Sequence, residues 1–204
     1  MSQFFSVHPT HPQNRLLSRA ADIVAQGGVI AYPTDSTYAL GCHIGDKTAL
    51  DRIRSIRKLH KRHLFTLVCK DLAALATYAR VDNTSYRIIK HYTPGPYTFV
   101  LPATRETPRR LVHSRGRTIG LRVPGSAIAQ NLLQHLGEPM MSTTLIMPDD
   151  EFALTDAQDI REQLEHAVDV IIDGGPCSRD LTTVVDLSEG LPNVTRQGLG
   201  EFAG

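Results

Sequence analysis

The sequence lacks several features that would assign it to a specialised class of protein. It has no tryptophan and only three cysteines, at positions 42, 69 and 177, none of them in a Cys-x-x-Cys pair. So few and so widely spaced cysteines exclude a disulfide-stabilised secreted domain and are typical of free thiols in a reducing compartment. No apolar run approaches the roughly 20 residues that a membrane-spanning helix needs, and the first residues lack the basic and apolar regions of a secretory signal. These absences predict a cytoplasmic protein without membrane association.

Two common nucleotide-binding motifs are also missing. There is no G-x-x-x-x-G-K-[ST] phosphate loop, and no G-x-G-x-x-G that opens a helix, because Gly198-Leu199-Gly200 lies at the C-terminus with no helix to follow. The pairs His8-x-x-His11 and His60-x-x-His63 have a spacing that metal sites use. The second pair, however, lies among cations that would repel a metal ion. The sequence therefore predicts no metal site.

The charges are almost balanced but unevenly distributed. Lysine and arginine number 22 against 21 aspartate and glutamate residues, for a formal net charge of +1. One basic cluster combines arginine, lysine and histidine: Arg52, Arg54, Arg57, Lys58, His60, Lys61, Arg62 and His63. A second basic stretch lies at 105–117, and acidic residues concentrate at 149–165. This distribution is compatible with a face that binds nucleotide phosphates or RNA, and equally with a solvated helix face.

Short apolar segments alternate with amphipathic ones along the chain. Strands are predicted at 29–32, 65–69, 97–101, 119–123, 139–144, 168–172, 182–187 and 193–196. Two helices are predicted to begin at capping boxes, Thr10-x-x-Gln13 and Thr155-x-x-Gln158. Four more are predicted to begin after the N-cap residues Asp46, Asp71, Asp82 and Ser126. Gly137 is predicted to end the helix that Ser126 caps. The stretch 105–116 is predicted as a basic loop or short helix. Because strands and helices are intermixed, the fold class is α/β, with one twisted open mixed sheet in a single domain spanning 1–204.

The stretch Gly27–Gly41, GGVIAYPTDSTYALG, places hydroxyl groups directly after a buried strand that Pro33 ends. Other hydroxyls and two arginines stand at predicted strand ends in the same way: Thr98, Thr118, Ser142, Thr144, Thr182, Arg122 and Arg196. Ligand sites of open α/β sheets form at strand ends. Arginine binds carboxylate and phosphate bidentately, so these residues would suit a ligand that carries both groups. Each residue alone is also compatible with a turn or cap.

Six segments occur in order across nearly the whole chain: GGVIAYPTDSTYALG, TPGPYTFVL, TIGLRVPG, MMSTT, TTVVDL and VTRQG. This series resembles the YrdC/YciO family of threonylcarbamoyl-adenylate synthase-like proteins, and the His-Pro opening with the FTLVC segment is more similar to the YciO branch. The resemblance implies a single twisted α/β domain with a concave, positively charged face. It also implies ATP and threonine as ligands, and a link to tRNA modification or double-stranded RNA binding.

In the reaction that the resemblance implies, N-carboxylated threonine attacks the α-phosphate of ATP and releases pyrophosphate, while Mg²⁺ neutralises phosphate charge. By their position in the motifs, the threonine-binding residues would be Thr34, Ser36, Arg122, Ser142 and Thr182. The nucleotide-binding residues would be Thr118, Thr144 and Arg196, and the catalytic ones Arg57 and Thr144. The RNA-binding residues would be Arg54, Lys58, Lys61 and Arg62.

Two positions depart from the synthase pattern. Synthases of the family carry Lys-x-Arg where this chain has Arg57-Lys58-Leu59, and Ser-x-Asn where it has Thr144-Leu145-Ile146. The side chains of Leu59 and Ile146 cannot hydrogen-bond. Each lost contact to a charged group is worth about 1.5–3 kcal/mol, so both together would slow the reaction by roughly 10²–10⁴. We therefore expect a weak synthase or one retargeted to another acceptor. The alternatives are a tRNA- or double-stranded-RNA-binding protein without synthase activity, and a nucleotide-binding protein with a different acceptor; the oligomeric state, a homodimer included, stays open.

Overall fold

Ten strands and six α-helices alternate along the part of the chain that the computed structural model describes, residues 1–60, 63–113 and 116–203. The strands are β1 (Gln3–Ser6), β2 (Ile30–Pro33), β3 (Tyr38–His43), β4 (Thr66–Val68), β5 (Tyr97–Pro102), β6 (Thr118–Arg122), β7 (Met140–Thr144), β8 (Val170–Asp173), β9 (Thr183–Asp186) and β10 (Asn193–Arg196). The helices are α1 (Asn14–Ala25), α2 (Lys47–Ile56), α3 (Leu72–Tyr78), α4 (Asn83–Tyr92), α5 (Ala127–Leu136) and α6 (Ala157–Leu164). A short 3₁₀ helix (Arg109–Leu111) lies in the second basic stretch.

All ten strands belong to one sheet, in the order β1-β8-β2-β3-β7-β4-β6-β5-β9-β10. The pairs β1–β8, β2–β8, β4–β6 and β5–β9 are parallel, and the remaining pairs are antiparallel. This arrangement confirms the predicted α/β class with a single open mixed sheet. No helix in the described parts of the chain has the length and apolarity needed to cross a membrane.

Side-chain caps start four of the helices where the sequence predicts them. Asp46, Asp71, Asp82 and Ser126 each accept a hydrogen bond from the backbone N–H three residues further along. Gly137 ends α5 with a φ of 75°, a left-handed conformation that glycine adopts without steric cost.

Both predicted capping boxes are wrong. Helix α1 begins at Asn14, and its N-cap Gln13 makes no side-chain capping bond. At α6 the cap is Asp156, which accepts from the backbone N–H of Gln158. A carboxylate accepts a stronger hydrogen bond from an orphan N–H than a hydroxyl does, and this favours Asp156 over the adjacent Thr155.

Two strands have no counterpart in the prediction. Strand β3 is buried along almost its whole length, so it shows no alternation of polar and apolar residues. It contains Gly41, where a Cβ would come within 2.9 Å of the Tyr32 ring on the neighbouring strand, so close packing requires this glycine. Strand β1 pairs with the distant β8, in the register Gln3 to Val170, and four residues at the N-terminus give too short a pattern to identify it.

The helices cover the two faces of the sheet unequally. The larger apolar cluster includes residues of α2, α3, α4 and α6 and lies on one face. On the opposite face, α1 and α5 pack over the half of the sheet that carries Ile30, Tyr32 and Ile172. The other half of that face, over β4, β5, β6 and β9, has no helix among the described residues. It therefore forms the floor of an open cavity.

Candidate functional site

A cavity of about 410 Å³ lies on the half of the sheet that α1 and α5 leave uncovered. Its floor is built from alternate residues of adjacent strands, such as Thr118, Gly120 and Arg122 of β6 and Ser142 and Thr144 of β7, because successive side chains of a strand point to opposite faces. The remaining polar and basic lining residues are Thr37, Arg57, His63, Thr66, Thr98, His113, Thr143, Thr182 and Arg196. Apolar residues complete the wall, among them Leu64, Val100, Ile146 and Val184.

The structure thus brings together most of the residues that the sequence assigns to small-molecule ligands. The cavity includes the predicted residues Arg57, Thr118, Arg122, Ser142, Thr144, Thr182 and Arg196. Thr34 and Ser36 are not part of its described lining, although their neighbour Thr37 is. The Thr34 hydroxyl donates to the Thr37 carbonyl at 2.7 Å and lies 3.1 Å from the Ser36 hydroxyl, so it stabilises the turn between β2 and β3.

Arg57 is held at the end of α2 by two hydrogen bonds to the β7 segment. Its Nε donates to the Ile146 carbonyl at 2.6 Å, and its Nη1 donates to the Thr143 hydroxyl at 3.2 Å. Burial lowers the pKa of the guanidinium below its ordinary value. No carboxylate of the described residues pairs with this charge, so Arg57 presents an uncompensated cation to the cavity.

Arg196 occupies the opposite side of the cavity and is fixed by Thr182. Its Nε and Nη2 donate to the Thr182 carbonyl at 3.0 and 2.9 Å, and Nη2 also donates to the Thr182 hydroxyl at 3.0 Å. That hydroxyl lies 2.9 Å from the Thr98 hydroxyl. Burial and the nearby positive charge of Arg122 lower the pKa of Arg196. Together the positive charges of Arg122 and Arg196 favour binding of a polyatomic anion between the strand ends.

Arg122 differs from the other two arginines because it has a partner carboxylate within the chain. Its Nη2 donates to Oδ1 of Asp35, whose Oδ2 accepts from the backbone N–H of Gly125 at 2.7 Å. The Nε of Arg122 is buried and has no hydrogen-bond partner in the described structure. A buried donor without a partner is costly, and because this one is fully buried, a ligand in the cavity does not contact it in this conformation.

The Ser142 hydroxyl is part of a buried chain of hydrogen bonds. It donates to the Leu40 carbonyl at 3.1 Å and accepts from the Tyr32 phenol at 2.8 Å. Burial raises the pKa of Tyr32, so the phenol keeps its proton. Ser142 is therefore fixed in orientation and can offer a ligand only its remaining lone pair.

The cysteines and acidic residues do not form a reactive or metal-binding cluster. Burial raises the pKa of Cys42 and Cys69 to about 12 and that of Cys177 to about 11, so these thiols stay protonated at neutral pH. Within the described ranges, no group of three or more His, Cys, Asp and Glu residues is placed to hold a metal ion.

Two residues of the first basic cluster, Arg54 on α2 and Lys58 after its end, contact carboxylates in the structure. Arg54 pairs with Asp51 at 3.0 Å, and Lys58, which is largely exposed, has its Nζ 3.9 Å from Asp149. Lys61 and Arg62 lie outside the described residues. The assignment of these four residues to RNA binding stays a prediction.

Sequence reasoning missed two residues of this region. Asp35 stands inside the hydroxyl-rich turn, but its ion pair joins residues 87 positions apart, and no local pattern reports such a contact. By sequence, His63 is part of a His-x-x-His pair and of the first basic cluster but not a residue of the small-molecule site, whereas the structure places it in the cavity wall. The proximity of His63 to the FTLVC strand is the one sequence signal that places it near a strand end.

Comparison with known proteins adds evidence that is independent of the cavity. The Sua5/YciO/YrdC family model, which carries the description "Telomere recombination", matches residues 22–198. Uncharacterized protein YciO of Escherichia coli K12 is 53% identical over 201 residues, which is 98% of each chain. The crystal structure of E. coli YciO superposes with a TM-score of 0.94 over 98% of both chains.

More distant relatives have named activities or ligands. A threonylcarbamoyl-AMP synthase of Chromobacterium violaceum is 34% identical over 137 residues, covering 67% of this chain and 70% of the relative. The crystal structure of P. abyssi Sua5 complexed with L-threonine covers 97% of this chain and 58% of its own, with a TM-score of 0.89 at 24% identity. At that identity the likeness establishes a shared fold.

Proposed function

This chain belongs to the Sua5/YciO/YrdC family, whose members include threonylcarbamoyl-AMP synthases, and from that membership we propose that it is a nucleotidyl-transfer enzyme of the threonylcarbamoyl-AMP synthase type. Its substrates would be ATP, bicarbonate and threonine or a similar amino acid. We expect a slower reaction than in a synthase with the complete motifs, because Leu59 and Ile146 provide no polar side chain. RNA binding, a homodimer and a cytoplasmic location stay predictions from the sequence.

The observation that carries the proposal is the composition of the cavity. Three guanidinium groups and several hydroxyls converge on about 410 Å³, and the described lining contains no carboxylate. Arg57 and Arg196 are held by neutral oxygen acceptors, so their charges are available to a ligand. A triphosphate offers the complementary charge, and the guanidinium of Arg122, the third cation of the lining, suits the carboxylate of an amino acid.

In the proposed reaction, a carbamate oxygen of N-carboxylated threonine forms a bond to the α-phosphorus of ATP. The bond from that phosphorus to the bridging oxygen breaks, and pyrophosphate leaves with the electron pair. Arg57 and Arg196 would stabilise the charge that develops on the phosphate oxygens. Arg122 and the Ser142 and Thr182 hydroxyls would orient the amino acid, so that its carbamate lies in line with the leaving group.

Mg²⁺ enters this scheme as part of the substrate MgATP. The described lining offers hydroxyls but no carboxylate, and carboxylates are the protein ligands that Mg²⁺ usually takes. The residues present therefore do not form a resident metal site, and no step is assigned to one.

The test is to incubate the purified protein with MgATP, threonine and bicarbonate, to follow pyrophosphate release, and to identify threonylcarbamoyl-AMP by mass spectrometry. We expect product from the natural protein and at least a roughly tenfold loss in Arg196→Ala, since a charge-assisted contact is worth about 1.5–3 kcal/mol. The matched control is Arg87→Ala, an exposed arginine on α4, and it should leave the rate unchanged. Protein that releases no pyrophosphate and forms no adduct under any of these conditions would overturn the proposal.

A further inference from the structure

His63 is a cavity residue with no role in the scheme above. Its half-buried ring contributes to the cavity wall and packs edge-on against Phe65, with the ring centroids 5.5 Å apart. Its Nε2 lies 3.1 Å from the Thr143 hydroxyl oxygen. The same oxygen lies 3.2 Å from Nη1 of Arg57. Thr143 therefore connects an arginine and a histidine that both line the cavity.

The direction of these hydrogen bonds follows from what each group can do. A guanidinium can only donate, so the Thr143 oxygen must accept from Arg57. The hydroxyl proton is then free to donate, and Nε2 of His63 is the other group of the described structure in contact with that oxygen. If Nε2 accepts, the proton of the neutral ring resides on Nδ1. Burial and the charges of Arg57 and Arg54 lower the pKa of His63, which agrees with a neutral ring at pH 7.

We propose that His63 is a ligand-binding residue of the cavity, whose Nδ1–H donates a hydrogen bond to an anionic oxygen of the ligand, either a phosphate or a carboxylate. The proposal rests on the proposed function, because it assumes an anion beside Arg57. It also explains how the cavity wall beside Arg57 can supply a neutral hydrogen-bond donor. Ile146, whose carbonyl is bound by Arg57, contributes no polar side chain. His63 thus supplies the neutral donor that position 146 lacks.

Three substitutions separate the two ring nitrogens. The amide nitrogen of asparagine, a donor, reaches about the position of Nδ1, and the amide oxygen of glutamine, an acceptor, reaches about the position of Nε2. His63→Asn therefore keeps the proposed donor and loses the Thr143 contact, whereas His63→Gln keeps the Thr143 contact and loses the donor. His63→Phe loses both. The exposed His135 on α5 provides the matched control, His135→Gln.

Affinities for MgATP, pyrophosphate and threonine would be measured separately by calorimetry, with thermal unfolding of each variant as a check on folding. We expect His63→Gln and His63→Phe to weaken binding of one phosphate ligand or of threonine by about 10- to 100-fold. His63→Asn should stay within about threefold of the natural protein. The ligand that responds identifies the oxygen: pyrophosphate together with MgATP indicates phosphate, and threonine alone indicates carboxylate.

The opposite order of affinities, in which His63→Gln binds the ligand as the natural protein does and His63→Asn binds it more weakly, would overturn the proposal. It would show that the ring only positions Arg57 through Thr143. Equal affinities in all variants would overturn it too. Protein that binds pyrophosphate but forms no adenylate contradicts the proposed function. In that case the pyrophosphate affinities of the three His63 variants still decide the role of the ring. Protein that binds none of the three ligands overturns both.

Discussion

Arg122 on β6 donates a hydrogen bond to Asp35 in the turn between β2 and β3, and the two side chains are only 9% and 14% exposed. Asp35 also accepts from the backbone N–H of Gly125, so one carboxylate ties that turn to the segment before α5. The ion pair fixes the arginine at the cavity and leaves its Nε without a partner. This contact therefore combines a structural role with the positioning of a cation in the cavity lining.

Removing Asp35 should therefore destabilise the protein through Arg122. In Asp35→Asn the guanidinium stays buried without a counter-charge, and breaking a pair of this kind by removing one partner typically costs about 3–5 kcal/mol. Because a small part of each side chain remains exposed, we expect about 3 kcal/mol, measured as the free energy of unfolding in urea.

Two further variants test the reason for that loss. Asp150→Asn removes an exposed carboxylate and should change the free energy of unfolding by less than about 0.5 kcal/mol. The double variant Asp35→Asn with Arg122→Met should recover part of the loss, since no buried charge remains. A double variant less stable than Asp35→Asn alone would contradict this explanation.

Ile146 should limit the rate if the proposed reaction is correct. Ile146 lines the cavity and its carbonyl accepts a hydrogen bond from Arg57, so Ile146→Asn would add an amide at a position where it could contact phosphate oxygens. One such contact corresponds to a rate increase of about 10- to 100-fold in pyrophosphate release. Ile146→Leu keeps the apolar character and should leave the rate unchanged. An unaltered rate in Ile146→Asn would show that the missing amide does not limit this enzyme.

Gly198 sets the close approach of the C-terminal segment to β9. A Cβ at this position would lie 2.6 Å from the carbonyl oxygen of Thr182, the group that holds Arg196. Gly198→Ala should therefore destabilise the fold by about 1–3 kcal/mol, as overpacking does, and should weaken MgATP binding by displacing Arg196. Gly120→Ala is the comparison for stability alone, because there a Cβ would meet its nearest neighbour at an ordinary 3.5 Å but would enter the cavity floor. A Gly198→Ala protein with natural stability and affinity would contradict the packing shown by the structure.

The sequence predicts those parts of the fold that depend on local chemistry. The N-caps at Asp46 and Ser126 are correct because a single side chain and the N–H three residues on decide them. The strand-end residues Arg122 and Arg196 do face one cavity, since their positions follow from strand boundaries and side-chain alternation.

The contacts that depend on distant packing could not be predicted. Strand β3 is buried on both sides and carries Gly41, so its pattern does not differ from that of a loop. The partner of Asp35 and the lining position of His63 depend on how the turn and the cavity wall meet across the sheet. The resemblance to the family indicated which segments contribute to the site, but not which of their side chains already pair with one another.

The RNA-binding hypothesis has a separate test, since it depends on Arg54, Lys58, Lys61 and Arg62 rather than on the residues of the cavity. Lys58 is largely exposed, with its ammonium 3.9 Å from Asp149, a distance at which the pairing is weak. If Lys58, Lys61 and Arg62 contact RNA phosphates, replacing all three with alanine should reduce the slope of log affinity against log salt by roughly 2–3. The measurement is a salt titration with double-stranded RNA, with Arg87→Ala as the control. An unchanged slope would remove these residues from any RNA interface.

His63 should also make the stability of the protein depend on pH. Burial, Arg57 and Arg54 lower its pKa in the folded state below the ordinary value of about 6.5. As the pH falls through 6.5, the unfolded chain therefore takes up a proton before the folded one does, and the free energy of unfolding declines. The contribution that the neutral His63 ring makes to the free energy of unfolding is fully present at pH values above 6.5. It is lost as the pH falls toward the pKa of the folded state.

We expect urea unfolding at pH 7.5, 6.5 and 5.5 to show a smaller decline in His63→Gln than in the natural protein, because glutamine does not titrate. His135→Gln should retain the full decline. Pyrophosphate should reduce the decline in the natural protein, since a bound anion offsets the charges of Arg57 and Arg54 and lets the folded state accept the proton. That reduction should disappear in His63→Gln. If pyrophosphate changed both proteins equally, the titrating group would not be His63, and the anion would not lie beside it.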